Sequence, residues 1–203
     1  MNLDTGHLIA IAAALGWASG LRLYAVVFLT GLAGALGWVA LPAGLQGLQQ
    51  PWVLGASGLM LGLEFFADKI PLVDTVWDAL HTLVRIPAGA ILAASVFGLD
   101  QGTTSLVAAL LGGTLAATSH LAKASTRAAV NTSPEPFSNI GLSLAGDAVV
   151  PAMLWLSWTH PAWFFAALLL ALVAMLTLIV LMMKFVRALL RRVAGRSAVA
   201  APA

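Results

Sequence analysis

The chain has 203 residues, of which 61% are hydrophobic and 9% charged, and its mean hydropathy is +0.97. A soluble domain carries roughly a quarter of its residues as Asp, Glu, Lys or Arg, so the composition excludes an ordinary soluble protein. At about 20 residues per transmembrane helix, the length suits a polytopic all-α bundle of about six helices, with residues 1–203 as one integral membrane domain. Cysteine is absent, which removes disulfides, thiolate nucleophiles and Cys-based zinc sites from consideration. No Lys or Arg leads the apolar stretch Met1 to Ala18, so it is expected to be retained rather than cleaved as a signal.

The first apolar segment runs from about Leu8 to Val39. At 1.5 Å per residue this exceeds a bilayer core of about 30 Å, so it must tilt, kink or double back. A break at Ser19-Gly20-Leu21-Arg22 makes a broken or re-entrant segment one outcome, and a purely structural kink the other. Pro42 to Pro51 reads as a loop that completes the first unit, residues 1–50. A second helix, Trp52 to Ala67, follows Pro51, and Asp68 to Val73 is a tight connection. Helix three runs from Asp74, whose carboxylate suits the free N–H groups of a helix start, to about Gly98. Asp100-Gln101-Gly102 is a turn.

Helix four covers Thr103 to about Asn131 and carries Gly112 and Gly113, small residues that let membrane helices approach closely. Thr132 to Phe137, with two prolines, reads as a connection, and Ser138 or Asn139 as the cap of helix five, Ile140 to Trp158. Residues 51–158 thus hold the polar-core helices, and residues 159–203 the last helix with its tail. That helix opens at Pro161, is apolar to Met183 and ends in Lys184, Arg187, Arg191, Arg192 and Arg196. By the positive-inside rule the C-terminus is cytoplasmic, with the bacterial inner membrane as the expected location. The N-terminus is cytoplasmic if the first segment spans once, and outside if it re-enters. Trp38, Trp52, Trp155, Trp158 and Trp163 suit interfacial aromatic belts.

Ionisable groups inside this apolar chain fall at helical spacing. Asp74, Asp78, His81 and Arg85 lie within an arc of about 60° on one helix face, and His120, Lys123, Arg127 and Asn131 share a second face. Glu64 and Asp68 are four apart, and Asn139, Ser143 and Asp147 extend the pattern to helix five. Such groups at membrane depth are expensive unless they face one another or a wet cavity. The expectation is a polar wedge reached from the cytoplasmic side, lined by Asp78, Arg85, Lys123, Arg127 and Asp147, then Glu64, Asp68, His81, His120, Asn131 and Asn139.

Three readings stand. The basic residues suit a small anionic solute or a lipid headgroup, with His and Asp coupling occupancy to protons. Alternatively the groups pair with one another as an ion-pair scaffold or partner-binding core. A third reading is a Mg²⁺-dependent transferase acting on a diphosphate or lipid, with Asp74 and Asp78 as metal ligands. No resident cofactor is indicated, nucleic acid is not an expected partner, and a homo-oligomer stays open. The basic tail is explained by topology and anionic lipid.

Glu64-Phe-Phe-Ala-Asp68-Lys69-Ile-Pro71-Leu-Val-Asp74-Thr-Val-Trp77-Asp78 with His81-Thr82 and Arg85, and the block from Lys123 through Arg127 and Asn131 to Asn139, resemble the bacterial membrane family called domain of unknown function 4126. Ser19-Gly20 and Tyr24 are similar to its opening segment, with Arg22 where a small polar residue is expected. The resemblance implies a multi-pass helical membrane protein and carries no substrate or reaction.

Overall fold

A computed structural model describes residues 3–70, 72–98, 102–131 and 136–199, without the side chains of Pro136, Val186 and residues 188–199. Most of the turn expected at 100–102, the loop 132–135 and the side chains of Arg191, Arg192 and Arg196 lie outside the described residues. Within them the chain is all-α: α1 (Thr5–Ala35), a 3-10 helix (Ala43–Gln49), α2 (Pro51–Ala67), α3 (Val73–Phe97), α4 (Thr103–Val130), α5 (Pro136–Thr159) and α6 (Pro161–Val199). Five of these helices are long and apolar enough to cross a membrane; α2 is the shorter one.

Helix α1 starts under a side-chain cap, where Asp4 accepts the His7 N–H at 2.9 Å. It is broken at Arg22, which has φ −149° and ψ 80°. Contacts on either side of the break run in opposite directions. In the arm 5–21, Gly16 lies against Gly112, and Gly20 against Ala116 and Ser119, so this arm runs parallel to α4. In the arm 23–35, Phe28 lies against Gly58, and Gly31 against Leu54, so this arm runs antiparallel to α2.

The closing contacts leave one solution. Gly44 touches Ser95 and Gly31 touches Leu48, while Gly89 of the same α3 touches Gly16. A straight α1 would carry Gly31 about 22 Å beyond Gly16, away from Ser95. Helix α1 therefore doubles back at Arg22, which stands at the tip of a helical hairpin. Although its length and composition alone would let α1 cross a membrane, its two ends lie at the same end of the bundle.

The bundle thus has an amino end, which gathers the start of α1, residues 36–50, the end of α3 and the α5–α6 connection. The carboxyl end gathers the α2–α3 turn, the end of α4 and the later part of α6. A core of Ala10, Ile11, Leu15, Leu45, Val96, Trp158 and Phe164 fills the amino end. Trp38, Trp52, Trp155 and Trp163 are exposed there, whereas Trp158 is buried.

Several expected boundaries move. The segment expected as a loop holds the 3-10 helix, whose Leu45 is buried in the core. Helix α5 begins at Pro136 rather than at Ser138 or Asn139, since proline suits a first helical position, where its missing N–H is not needed. Helix α6 keeps its expected start at Pro161 and runs through the basic segment to Val199. Asp74 accepts the Thr75 N–H at 2.6 Å, while the cap position falls to Leu72 at φ 71°.

Candidate functional site

Four helices and the hairpin tip deliver charged side chains to one layer in the carboxyl half of the bundle. Helix α3 supplies its stripe of Asp74, Asp78, His81 and Arg85, all buried. Helix α4 faces it antiparallel with His120, Lys123 and Arg127, while α2 ends in Glu64 and Asp68. Helix α5 adds Ser143 and Asp147, and the break in α1 adds Arg22.

Arg85 forms the inner pair. Its Nη2 lies 2.6 Å from Glu64 Oε1 and its Nη1 2.6 Å from Asp78 Oδ1. Asp78 also faces Lys123 Nζ at 3.1 Å. Asp68 receives three cations, Arg22 Nη1 at 3.1 Å, Lys123 Nζ at 3.0 Å and Arg127 Nη2 at 3.2 Å. Arg127 Nη1 reaches Asp74 at 3.1 Å, and Asn131 Nδ2 donates to the same carboxylate at 2.9 Å. Asp147 closes the other flank against Arg22 Nη2 at 3.0 Å and Lys69 Nζ at 3.2 Å.

Five carboxylates (Glu64, Asp68, Asp74, Asp78, Asp147) therefore meet five bases (Arg22, Lys69, Arg85, Lys123, Arg127). Glu64, Asp68, Asp74 and Arg85 are fully buried. Removing such charges from water costs several kcal/mol per ion unless geometry and extra hydrogen bonds return it. Arg85 and Arg127 supply that geometry, each guanidinium reaching two or more carboxylates through separate nitrogens.

The break in α1 is part of the same layer. An interrupted helix frees carbonyls that lipid cannot satisfy, and α4 provides donors. Lys123 Nζ donates to the Leu21 carbonyl at 3.1 Å, and Ser119 Oγ to that of Trp17 at 2.6 Å. Arg22 Nη2 in turn donates to the carbonyl and hydroxyl of Ser143 at 3.0 and 2.9 Å.

The two histidines sit at the edge of the layer. His120 Nε2 lies 2.8 Å from Thr82 Oγ1 and its Nδ1 3.4 Å from Arg85 Nη1. His81 Nδ1–H donates to the Trp77 carbonyl at 2.8 Å, and its Nε2 accepts from the Tyr24 hydroxyl at 3.1 Å. The His81 ring stacks on Trp77 with centroids 4.2 Å apart.

The expected open wedge is instead a closed, paired layer, flanked by clefts. One cleft of about 290 Å³ between α1, α4, α5 and α6 has apolar walls such as Leu142, Val149, Met175 and Leu178, and a floor of Arg22, Asp68, Lys123 and Arg127. Its volume is at the small end of ligand sites, which span roughly 300–1,000 Å³.

Of the expected lining residues, Glu64, Asp68, Asp78, Arg85, Lys123, Arg127 and Asp147 are brought into the ion network, and Asn131 joins it through Asp74. Asn139 does not join. It is buried, and neither side-chain polar atom has a hydrogen-bond partner among the described residues. Asp74 and Asp78 face Arg127, Arg85 and Lys123, and no group of three or more His, Cys, Asp or Glu suited to a metal occurs among the described residues. Sequence reasoning left Arg22 and Tyr24 out of the site, and placed Lys69 and Ser143 in the charged pattern but not among the lining residues. The one available signal for Arg22 was a lone arginine at a helix break.

No curated protein and no solved structure matches the chain. The model of one protein family, "Domain of unknown function (DUF4126)", matches residues 9–181. That span contains α1 from residue 9 onward, its break at Arg22 and every member of the ion network, so the chain belongs to this family.

Proposed function

We propose that this membrane protein binds an oxyanion, a carboxylate or phosphate carried by a small solute or a lipid headgroup, in the cleft between α1, α4, α5 and α6. One observation carries the reading: on the cleft floor three cations, Arg22, Lys123 and Arg127, converge on a single carboxylate, Asp68. An entering anion competes with Asp68 for these donors, guanidinium groups taking it bidentately and Lys123 as a point charge. The apolar walls exclude water and strengthen each contact. With the basic end of α6 inside, the carboxyl end faces the cytoplasm and the amino end the outside of the bacterial inner membrane.

Purified protein in neutral detergent, heated with inorganic phosphate, decyl phosphate or decanol, tests this. Decyl phosphate alone raising Tm identifies a headgroup; both phosphates raising it identifies a free solute. Ala174→Trp and Ala145→Trp, which fill the cleft and leave every ion pair intact, should abolish either shift. No shift with either phosphate would remove the proposal.

A second reading is favoured by the balance of five carboxylates against five bases. A neutral network can act as a scaffold that holds the hairpin tip in register. In that case the tryptophan variants keep the wild-type Tm under every additive.

A further inference from the structure

Buried hydroxyls on membrane helices normally return their hydrogen bond to the carbonyl one turn back. The buried Ser19, Ser57 and Ser95 do so here, donating to Leu15, Val53 and Ile91 at 2.5 to 2.8 Å. Thr30 does not. Its hydroxyl is buried without a partner, and the same is true of the indole N–H of Trp158. Both residues line one cavity of about 150 Å³ at the amino end, between the arm 23–35 of α1 and α5. A buried donor left unsatisfied costs about 1–3 kcal/mol, and here two share one small space.

That cavity is not isolated. Leu29 and Pro151 line both it and a second, open cavity of about 490 Å³ against α2, whose far end is Arg22 and Asp147. Arg22 is also on the floor of the anion cleft on the other side of α5. The hairpin makes the alignment: the arm 23–35 runs alongside α5 from Arg22 back to the amino end, two of the cavities lie along it, and the anion cleft, on the arm 5–21, meets them at Arg22.

We infer that these three cavities are stations of one solute route across the bundle, with Thr30 and Trp158 as an outer site for a small anion and Arg22 with Asp147 as its constriction. Two unpartnered donors on residues lining one otherwise apolar pocket suit an acceptor-bearing solute. Arg22, only 2% exposed and held between Asp68 and Asp147, separates the outer stations from the cleft. This rests on the cleft's being an anion site and adds passage to binding; a solute that threads past Arg22 is a free anion, since a lipid tail cannot follow it around α5.

The chain has no cysteine, so single substitutions report access directly. In sealed vesicles, the anionic thiol reagent MTSES should modify Thr30→Cys and Ala25→Cys, while Ile91→Cys, on the lipid-facing surface, stays inert and Leu36→Cys, exposed at the amino end, reacts. Adding Trp158→Phe should lower the rate at Thr30→Cys several-fold for MTSES and leave that of the cationic reagent MTSET unchanged. If Thr30→Cys does not fold, Ala33→Cys tests the same cavity. Thr30→Cys, Ala33→Cys and Ala25→Cys all as inert as Ile91→Cys would overturn the route. If Ala145→Cys in the cleft still reacts in that case, the anion cleft stands without it.

Discussion

The two halves of the bundle hold the same helices together by opposite means. Towards the amino end, α1, α3 and α4 meet backbone to backbone through Gly16, Gly89 and Gly112, where an added Cβ would run into a neighbouring glycine or alanine. In the carboxyl half the same three helices are joined through Arg22, Arg85, Lys123 and Arg127 and their carboxylates. Lipid supplies no hydrophobic drive between helices, so association relies on close packing or polar contact, and each half uses one of these. The contrast explains where α1 is broken. A helix can be interrupted in lipid only where donors wait for its freed carbonyls, and the charged half provides Ser119 and Lys123 for that purpose.

The comparison can be broken from either side. The largest effect is expected at the glycine contact: Gly112→Leu forces a side chain into Ala93 and the Gly89 backbone, and overpacking beyond the usual 1–3 kcal/mol, roughly, should leave no folded protein by size-exclusion chromatography. In the charged half, Arg85→Ala strands Glu64 and Asp78 and should cost about 3–5 kcal/mol, read as a drop in Tm. Glu64→Gln with Arg85→Gln removes one charge of each sign and should recover part of that loss. If the double variant is no better than Arg85→Ala, the pair is not the unit of stability there.

Smaller effects sharpen the boundary between the halves. Leu72, in the turn after Asp68, has φ 71° and ψ −42°, a conformation that costs a residue with a Cβ about 1–3 kcal/mol. Leu72→Gly should therefore raise Tm slightly. Gly55 on α2 has nothing within reach of an added Cβ, unlike Gly112, and Gly55→Ala should raise stability by about 0.5–1 kcal/mol. A large loss there would mean that α2 is packed against something else.

How much of this was legible in the sequence differs between the halves in the same way. The stripes on α3 and α4 could be read because charged residues three and four apart can share a face only on a helix, and the structure joins them through Asp78, Lys123 and Arg127. Arg22 was not legible as a member, because its partners Asp68 and Asp147 are distant in sequence and its own helix offers no polar neighbour but Ser19. The length of the first apolar segment demanded a tilt, a kink or a reversal. Choosing among these depends on the backbone angles of one residue, which tertiary contacts decide. The start of α5 was misplaced because Ser138 and Asn139 look like caps, whereas Pro136 already occupies the first helical position. The 3-10 helix was missed because Gly, Gln and Pro signal a loop, while the burial of Leu45 against α1 organises the segment.

The reversal at Arg22 underlies the network, the clefts and the opposite placement of the two termini. Spin labels at Thr5→Cys and Leu36→Cys, both exposed in a chain without other cysteines, measure it by pulsed electron resonance. A straight helix would separate these positions by about 47 Å, whereas the hairpin predicts a distance below about 30 Å. A distance near the straight-helix value would contradict the account.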